Sequence, residues 1–353
     1  MLKIPETFTG AVLTGIGTPL QIISGIKLPP LRYGQVLVKV AYAGVCHSQL
    51  MEARGHRGSD PWIPHLLGHE GTGTVIALGD GVTKVATGDK VVLTWIKGSG
   101  LEAGGCKFVG PDGATINGGA VTTFSNYTVV SENRLVPLPE GTPMELGVLY
   151  GCALPTGAGI VLNTAQPTSQ SSVAVIGLGG IGLSALLAAR SLGVTKLIAI
   201  DIVNDKLTLA RDLGASQTIN ALEADPVMLC RKSTDGIGVD FAIEAAGSAR
   251  SIEMAFEMTR RSGGRCIFAS HPHHDERICL DPFELICGKR IDGSWGGSSN
   301  PDLDVEVLGK FYLAGTLPLE RLVSTPYRLD RINDALDDLE KRRVTRALIM
   351  MDT

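Results

Sequence analysis

Two patterns of hydrophobic spacing divide this chain. Up to about Gly151, apolar residues come in short strand-like runs. GQVLVKVAYAGV (Gly34–Val45) alternates apolar and polar positions with the period of two of a half-buried strand. GTVIALG and DKVVLTW are brief apolar runs, and PLRYG, GDGV and TGDK are turn sequences between them. This half predicts a folded-over β-barrel rather than a parallel sheet. From Leu154 the pattern changes. SVAVIG (Ser172–Gly177) predicts a buried strand, Leu178–Leu192 a helix closed by Gly193, and KLIAID (Lys196–Asp201) the next strand. NDKLTLARDLGA predicts a helix with Asn204 as its cap and Gly214 as its stop. VDFAIEAAG (Val239–Gly247), RSIEMAFEMTRRSGG and RCIFAS continue the alternation, and KRIDGSW (Lys289–Trp295) supplies the last strand. Strands alternating with helices predict an α/β unit with a doubly wound parallel sheet. Beyond Asn300, DLDVEVLGKFYLAG and RINDALDDLEKRR predict amphipathic helices and TRALIMM a strand. This tail is expected to rejoin the first half. The expected domains are therefore 1–153 with 296–353, and 154–295 inserted between them.

Composition narrows the class. The 353 residues are 44% hydrophobic, enough for two packed cores, and the net charge of −4 gives no pull toward nucleic acid or anionic lipid. No apolar run has membrane-spanning length, and MLKIPETFTG lacks a secretory apolar core, so a cytoplasmic protein is expected. Seven cysteines, odd in number and scattered, do not form a disulfide framework. Cys230, Cys266, Cys279 and Cys287 read as core or surface residues.

GLGGIG at Gly177–Gly182 carries the dinucleotide fingerprint. Gly177 permits the tight turn, Gly179 lets a pyrophosphate approach the backbone, and Gly182 allows close helix–strand packing. The N–H groups of Gly180 and Ile181 then face phosphate at the helix N-terminus. A strand precedes the glycines, a helix follows, and Asp201 ends the next strand at the spacing expected of a ribose ligand. A carboxylate there accepts both ribose hydroxyls and repels a 2′-phosphate. Ile202 and Val203 offer no cation for one, so NAD is expected over NADP.

Cys46 in GVCHS, His69 in LGHEG and Cys152 in GCALPTG offer two soft thiolates and an imidazole. These words, with GHEGTGTV (Gly68–Val75), FSNYTVVSENRLVPLP (Phe124–Pro139), GLGGIGLS and DIVNDKL, resemble the zinc-containing medium-chain alcohol dehydrogenases over nearly the whole chain. That family is the standard instance of a two-cysteine, one-histidine zinc with an open fourth position. The resemblance implies a GroES-like catalytic domain beside a Rossmann domain, one catalytic zinc on Cys46, His69 and Cys152, and NAD. Glu70 would stand behind the metal as a transient ligand. Ser48 would bond the substrate oxygen and start a proton relay. His47 and Arg346 would lie near the pyrophosphate, Lys206 beside Asp201, and Thr156 on the nicotinamide. Phe268 to Ser270 would give backbone contacts to the carboxamide, and Trp95 and Leu50 would line the substrate pocket. A small alcohol or carbonyl substrate and a homodimer or homotetramer are expected, paired through the last strand.

The chain departs from the family in three places. Where many relatives carry four cysteines on a second zinc, Trp95–Gly119 holds only Cys106. A glycine-rich loop (Gly98–Gly119), no structural zinc and a bystander thiol are expected. Met51 replaces a relay histidine, with His56 read as a solvated loop residue. Gln49 replaces an aspartate that supports the ligand histidine. HPHH (His271–His274) predicts a surface loop with diverging rings. The reaction class that fits is hydride transfer between a secondary or bulky primary alcohol and NAD. The rivals are a zinc-free quinone or enoyl reductase, which lacks the ligand cysteines, and a non-catalytic nucleotide-binding protein, which has no need of Ser48 and Glu70.

Overall fold

The computed structural model describes residues 4–351. It forms two units: Met1–Cys152 with Asn300–Leu313 and Pro318–Thr353, and Ala153–Ser299 with Ala314–Leu317.

In the first unit the early strands are β1 (Thr7–Leu13), β2 (Gln21–Lys27), β3 (Gln35–Val45), β4 (His65–Leu66) and β5 (Glu70–Leu78). They are followed by β6 (Lys90–Thr94), β7 (Cys106–Val109), β8 (Thr115–Gly118), β9 (Tyr127–Ser131) and β10 (Leu135–Pro137), with β17 (Tyr327–Arg328) and β18 (Ala347–Met350) from the tail. Its helices are α1 (His47–Ala53), α2 (Met144–Gly147), α9 (Pro301–Leu313) and α10 (Ile332–Glu340). Strands β1, β2, β7, β8 and β4 close a barrel, and a second sheet runs β10-β6-β5-β3-β18-β17. The long β3 organises this sheet. β5 takes one edge; β9 pairs with its first half and β18 with its end, from Tyr42 to Val45. Both faces of β3 are buried, because Val36 and Val38 enter one core while Leu37 enters the barrel core with Phe8, Ile26 and Phe108.

The expected glycine-rich loop is corrected. Gly98–Gly119 contains a β-hairpin, with Cys106 opposite Gly118 and Phe108 opposite Ile116. The four residues of β7 alternate buried and exposed, a period masked in the sequence by the glycines around the hairpin. Cys106 points into the barrel, where burial pushes its thiol up to about 11, so it is a poor nucleophile. Ahead of the hairpin, polar contacts hold the chain. Glu132 accepts the N–H groups of Thr83, Lys84 and Leu101, Glu102 pairs with Lys97 and Arg134, and Asp302 of α9 pairs with Lys84.

The second unit is a parallel sheet of β11 (Ser172–Ile176), β12 (Lys196–Asp201), β13 (Gln217–Asn220), β14 (Phe241–Glu244), β15 (Arg265–Phe268) and β16 (Arg290–Gly293). Its spatial order is β13-β12-β11-β14-β15-β16, so the winding reverses between β11 and β14. The helices are α3 (Ala153–Gly159), α4 (Gly180–Ser191), α5 (Asn204–Asp212), α6 (Pro226–Lys232), α7 (Ala249–Met258) and α8 (Pro282–Ile286). Two boundaries differ from expectation. α4 begins at Gly180, after the glycine turn has finished, and α5 is capped by Val203 because the Asn204 side chain is engaged with Asn220. Among the described residues no single helix is long and apolar enough to cross a membrane.

Candidate active site

β3 delivers Cys46 to the N-cap of α1, at the point where extended backbone turns into helix. Gln49, third in that helix, reaches back and accepts the Cys46 N–H at 3.0 Å, one half of a capping box. His69 lies between β4 and β5, behind Gly68. That glycine has φ +91°, and a Cβ on it would come within 2.4 Å of Thr123 Oγ1, so the position requires glycine. Cys152 follows a 3₁₀ turn whose Gly151 carbonyl accepts the Thr94 hydroxyl at 2.8 Å. The three side chains converge: their ligand atoms lie within 4.8 Å of one another.

The chemistry of this cluster fits a zinc ion. The Cys46 thiol is held well below its usual value, first by a hydrogen bond from Cys152, against burial and with help from Arg346 and His69. His69 Nε2 is buried with no protein partner, while its Nδ1 is engaged by Gln49 Nε2. Ser48 Oγ is likewise buried and without a partner. The Trp95 ring meets His69 edge-on at 6.4 Å.

Glu70 stands at the start of β5, fully buried, with Oε1 paired to the Arg346 guanidinium and Oε2 without a partner. Two glycines make room for it. A Cβ on Gly44 would lie 2.5 Å from Glu70 Oε1, and one on Gly151 would lie 2.7 Å from Glu70 Cβ. Neither glycine was singled out by sequence, although both flank ligand cysteines. Arg346, expected at a pyrophosphate, is paired with Glu70 and only 4% exposed, and its Nε has no partner. Leu50, expected to line the pocket, is buried. It packs into a core with Leu13, Val45, Ile349 and Leu336, where α1 meets α10. His47 is exposed at the start of α1. Met51 is buried, as a thioether suits.

A cavity of about 500 Å³ adjoins Gln49 and His69 and is walled by Trp62, Leu66, Leu67 and Val121. On its rim His65 Nε2 lies 2.8 Å from Asp60 and 3.8 Å from Glu52, tying the segment after α1 to β4.

In the second unit the fingerprint has the geometry a dinucleotide needs. Gly177 has φ +85°, a Cβ on Gly182 would lie 1.9 Å from Gly177 O, and a Cβ on Gly179 would meet open space. Gly180 and Ile181 open α4. Asp201 accepts the Leu178 N–H at 2.6 Å, so it braces the turn. Lys206 is half-buried on α5, and Thr156 Oγ1 is buried without a partner on α3. Phe268 ends β15, and the Ser270 hydroxyl donates to Glu244. His273 and His274 do not diverge as expected: their rings lie 4.7 Å apart beside Asp275, on a surface loop. Burial pushes the Cys230 thiol up to about 12, and Cys266 also rises, as core thiols do.

Comparison with known proteins agrees with both units. Residues 32–140 match the alcohol dehydrogenase GroES-like domain and residues 180–308 the zinc-binding dehydrogenase domain. S-(hydroxymethyl)glutathione dehydrogenase of Escherichia coli (strain SMS-3-5 / SECEC) is 33% identical over 96% of this chain and 98% of its own length. The enzyme of that name from Photobacterium damsela subsp. piscicida is 32% identical with the same coverage. An alcohol dehydrogenase zinc-binding domain protein from Burkholderia ambifaria superposes with a TM-score of 0.90 at 32% identity, covering 98% of this chain and 99% of that one. Benzyl alcohol dehydrogenase from Acinetobacter calcoaceticus superposes with a TM-score of 0.89 at 31% identity, covering 99% and 100%. With a GroES-like unit, a Rossmann unit and relatives matched along their whole length, the chain belongs to the zinc-containing medium-chain alcohol dehydrogenase family.

Proposed function

We propose that this protein is an NAD-dependent alcohol dehydrogenase with one catalytic zinc per chain, interconverting a secondary or bulky primary alcohol and its ketone or aldehyde. The observation that carries the reading is the convergence of Cys46, His69 and Cys152, with two buried, unpartnered atoms of the site, His69 Nε2 and Ser48 Oγ. Bound there, zinc supplies a Lewis acid that lowers the pKa of an alcohol oxygen, and NAD supplies the two-electron acceptor. The chain's own residues do the rest. Ser48 Oγ relays the hydroxyl proton: in oxidation it accepts that proton while passing its own to the nicotinamide ribose hydroxyl and on to water, and in reduction the relay runs backwards. Glu70 Oε2, with Arg346 balancing its charge, is the carboxylate oxygen left to approach the metal transiently. Trp95, packed on His69, gives the substrate an apolar wall. His47 and the N–H groups of Gly180 and Ile181 serve the pyrophosphate, Asp201 and Lys206 the adenosine ribose, and Thr156 and Phe268 to Ser270 the nicotinamide.

The missing cysteines and the hairpin β7–β8 support the absence of a structural zinc. The open edge of β16 and the exposed Phe283, Leu285 and Ile286 of α8 support a homodimer or homotetramer built through that edge. Names carried by relatives suggest two substrates, benzyl alcohol and S-(hydroxymethyl)glutathione. Both belong in a screen of alcohols with NAD and NADP. The reading expects turnover of an apolar alcohol with NAD. It expects Asp201→Ala to weaken NAD use and narrow the preference over NADP. No turnover of any alcohol or aldehyde, or an unchanged preference, would count against it.

A further inference from the structure

A carboxylate with no assigned role lies at the crevice of the parallel sheet. Glu244 is the last residue of β14 and has no solvent exposure. Its Oε1 accepts the N–H groups of Ala246 at 2.8 Å and Gly247 at 2.7 Å, and the Ser251 hydroxyl at 2.8 Å. Its Oε2 accepts the Ser270 hydroxyl. Burying a carboxylate is costly unless donors surround it, and here two peptide dipoles, two hydroxyls and the N-terminus of α7 meet the charge.

Those donors come from the turn after β14 with the first turn of α7, and from the chain after β15. Both leave the C-terminal ends of strands beside the winding reversal, where doubly wound sheets bind their ligands. The turn also leans on the fingerprint: Ala245 donates to Ile176 O at 2.7 Å, and a Cβ on Gly177 would lie 2.6 Å from Ala246 N. Asp201 and the adenosine half belong to β12, on the other side of β11. The β14–β15 side is left for the nicotinamide half.

We propose that Glu244 is a positioning residue for the nicotinamide half of the cofactor. It locks the turn Ala245–Gly247 and Ser270 in one arrangement, so that their backbone groups are set before NAD arrives. This rests on the NAD reading above. A purely architectural role would stabilise the whole unit and affect every ligand alike.

The test is binding of NADH and of ADP-ribose, which lacks only the nicotinamide, to the zinc-loaded protein and its Glu244→Gln variant. An amide turns one end from acceptor to donor, opposing Ser270 or the turn N–H groups. NADH affinity is expected to fall by about tenfold and ADP-ribose affinity by less than about twofold, with zinc content unchanged. Equal losses for both ligands, or no loss for either, would overturn the proposal. Should the variant melt early, Ser270→Ala removes a single donor and must give the same split in smaller measure; without that split the proposal fails. A wild-type protein that binds neither ligand refutes the NAD reading and this proposal with it.

Discussion

Gln49 bridges two of the predicted zinc ligands: its amide nitrogen meets His69 Nδ1 while its oxygen accepts the Cys46 N–H. One neutral side chain therefore orients the imidazole and anchors the helix turn that carries the thiolate. Outer-shell partners of this kind typically set metal affinity within 10- to 100-fold. Gln49→Ala is expected to weaken zinc retention by about that range, read by competition with a chromophoric chelator. Gln49→Asp, which gives the ring a charged partner but shortens the reach to Cys46, is expected to fall between wild type and alanine. Equal retention in all three proteins would remove Gln49 from the site.

Glu70 and Arg346, 276 residues apart in sequence, form a buried ion pair. Removing one partner strands the other charge. Arg346→Met is expected to cost about 3–5 kcal/mol in urea unfolding, while the double change Glu70→Gln/Arg346→Met costs much less than the two singles summed. Additive losses would mean that the two residues do not act as a pair.

Ser48→Ala should lower turnover by about 10²- to 10⁴-fold, the usual value of a positioned proton acceptor. Zinc content and NADH affinity are expected to stay at wild-type levels, since Ser48 Oγ has no protein partner to lose. Wild-type turnover in the variant would take Ser48 out of the relay.

The stretch before the β7–β8 hairpin is held by a carboxylate clamp. The Lys97 ammonium, with the Gly104 N–H, Asn133 and Arg134, holds the Glu102 carboxyl at about 2 rather than 4.5. Burial pushes Glu132 up, but the N–H groups of Leu101, Lys84 and Thr83 outweigh it and bring it below its usual value. A carboxyl depressed in the fold stabilises above its unfolded value and ceases to as pH falls through its folded one. Amide protection at Gly104, whose N–H donates to Glu102 Oε1 at 3.0 Å, is therefore expected to be full near neutral pH and to decline between about pH 4.5 and 2. Glu102 is more than one-third exposed, so this is a local effect with little weight in global stability. Hydrogen exchange on the wild type and Glu102→Gln measures it, and protection indifferent to both pH and substitution would contradict the clamp.

The fold was legible where one period governed a long run. β3, β11 and β12 stand out as apolar sequences bounded by turns, and the spacing from Gly177 to Asp201 carries its own geometry. The ligands Cys46, His69 and Cys152 became readable through the words around them. What stayed hidden depends on contacts between distant residues. The β7–β8 hairpin has four-residue strands lost among glycines, so its alternation is too short to register. Leu50 sits one turn from Cys46 in sequence, yet α1 turns it into the core. Arg346 carries a charge suited to phosphate, and only the fold reveals Glu70 as its partner. Glu244 offered the mildest signal, a carboxylate ending the apolar strand FAIE.

The proposed chemistry requires zinc at Cys46, His69 and Cys152. Zinc measured per chain in the purified protein, in Cys46→Ser and in His69→Ala tests it most directly. About one zinc in the wild type and close to none in both variants is the predicted result. A wild type without zinc, or variants that keep the wild-type content, would contradict a zinc site at these residues.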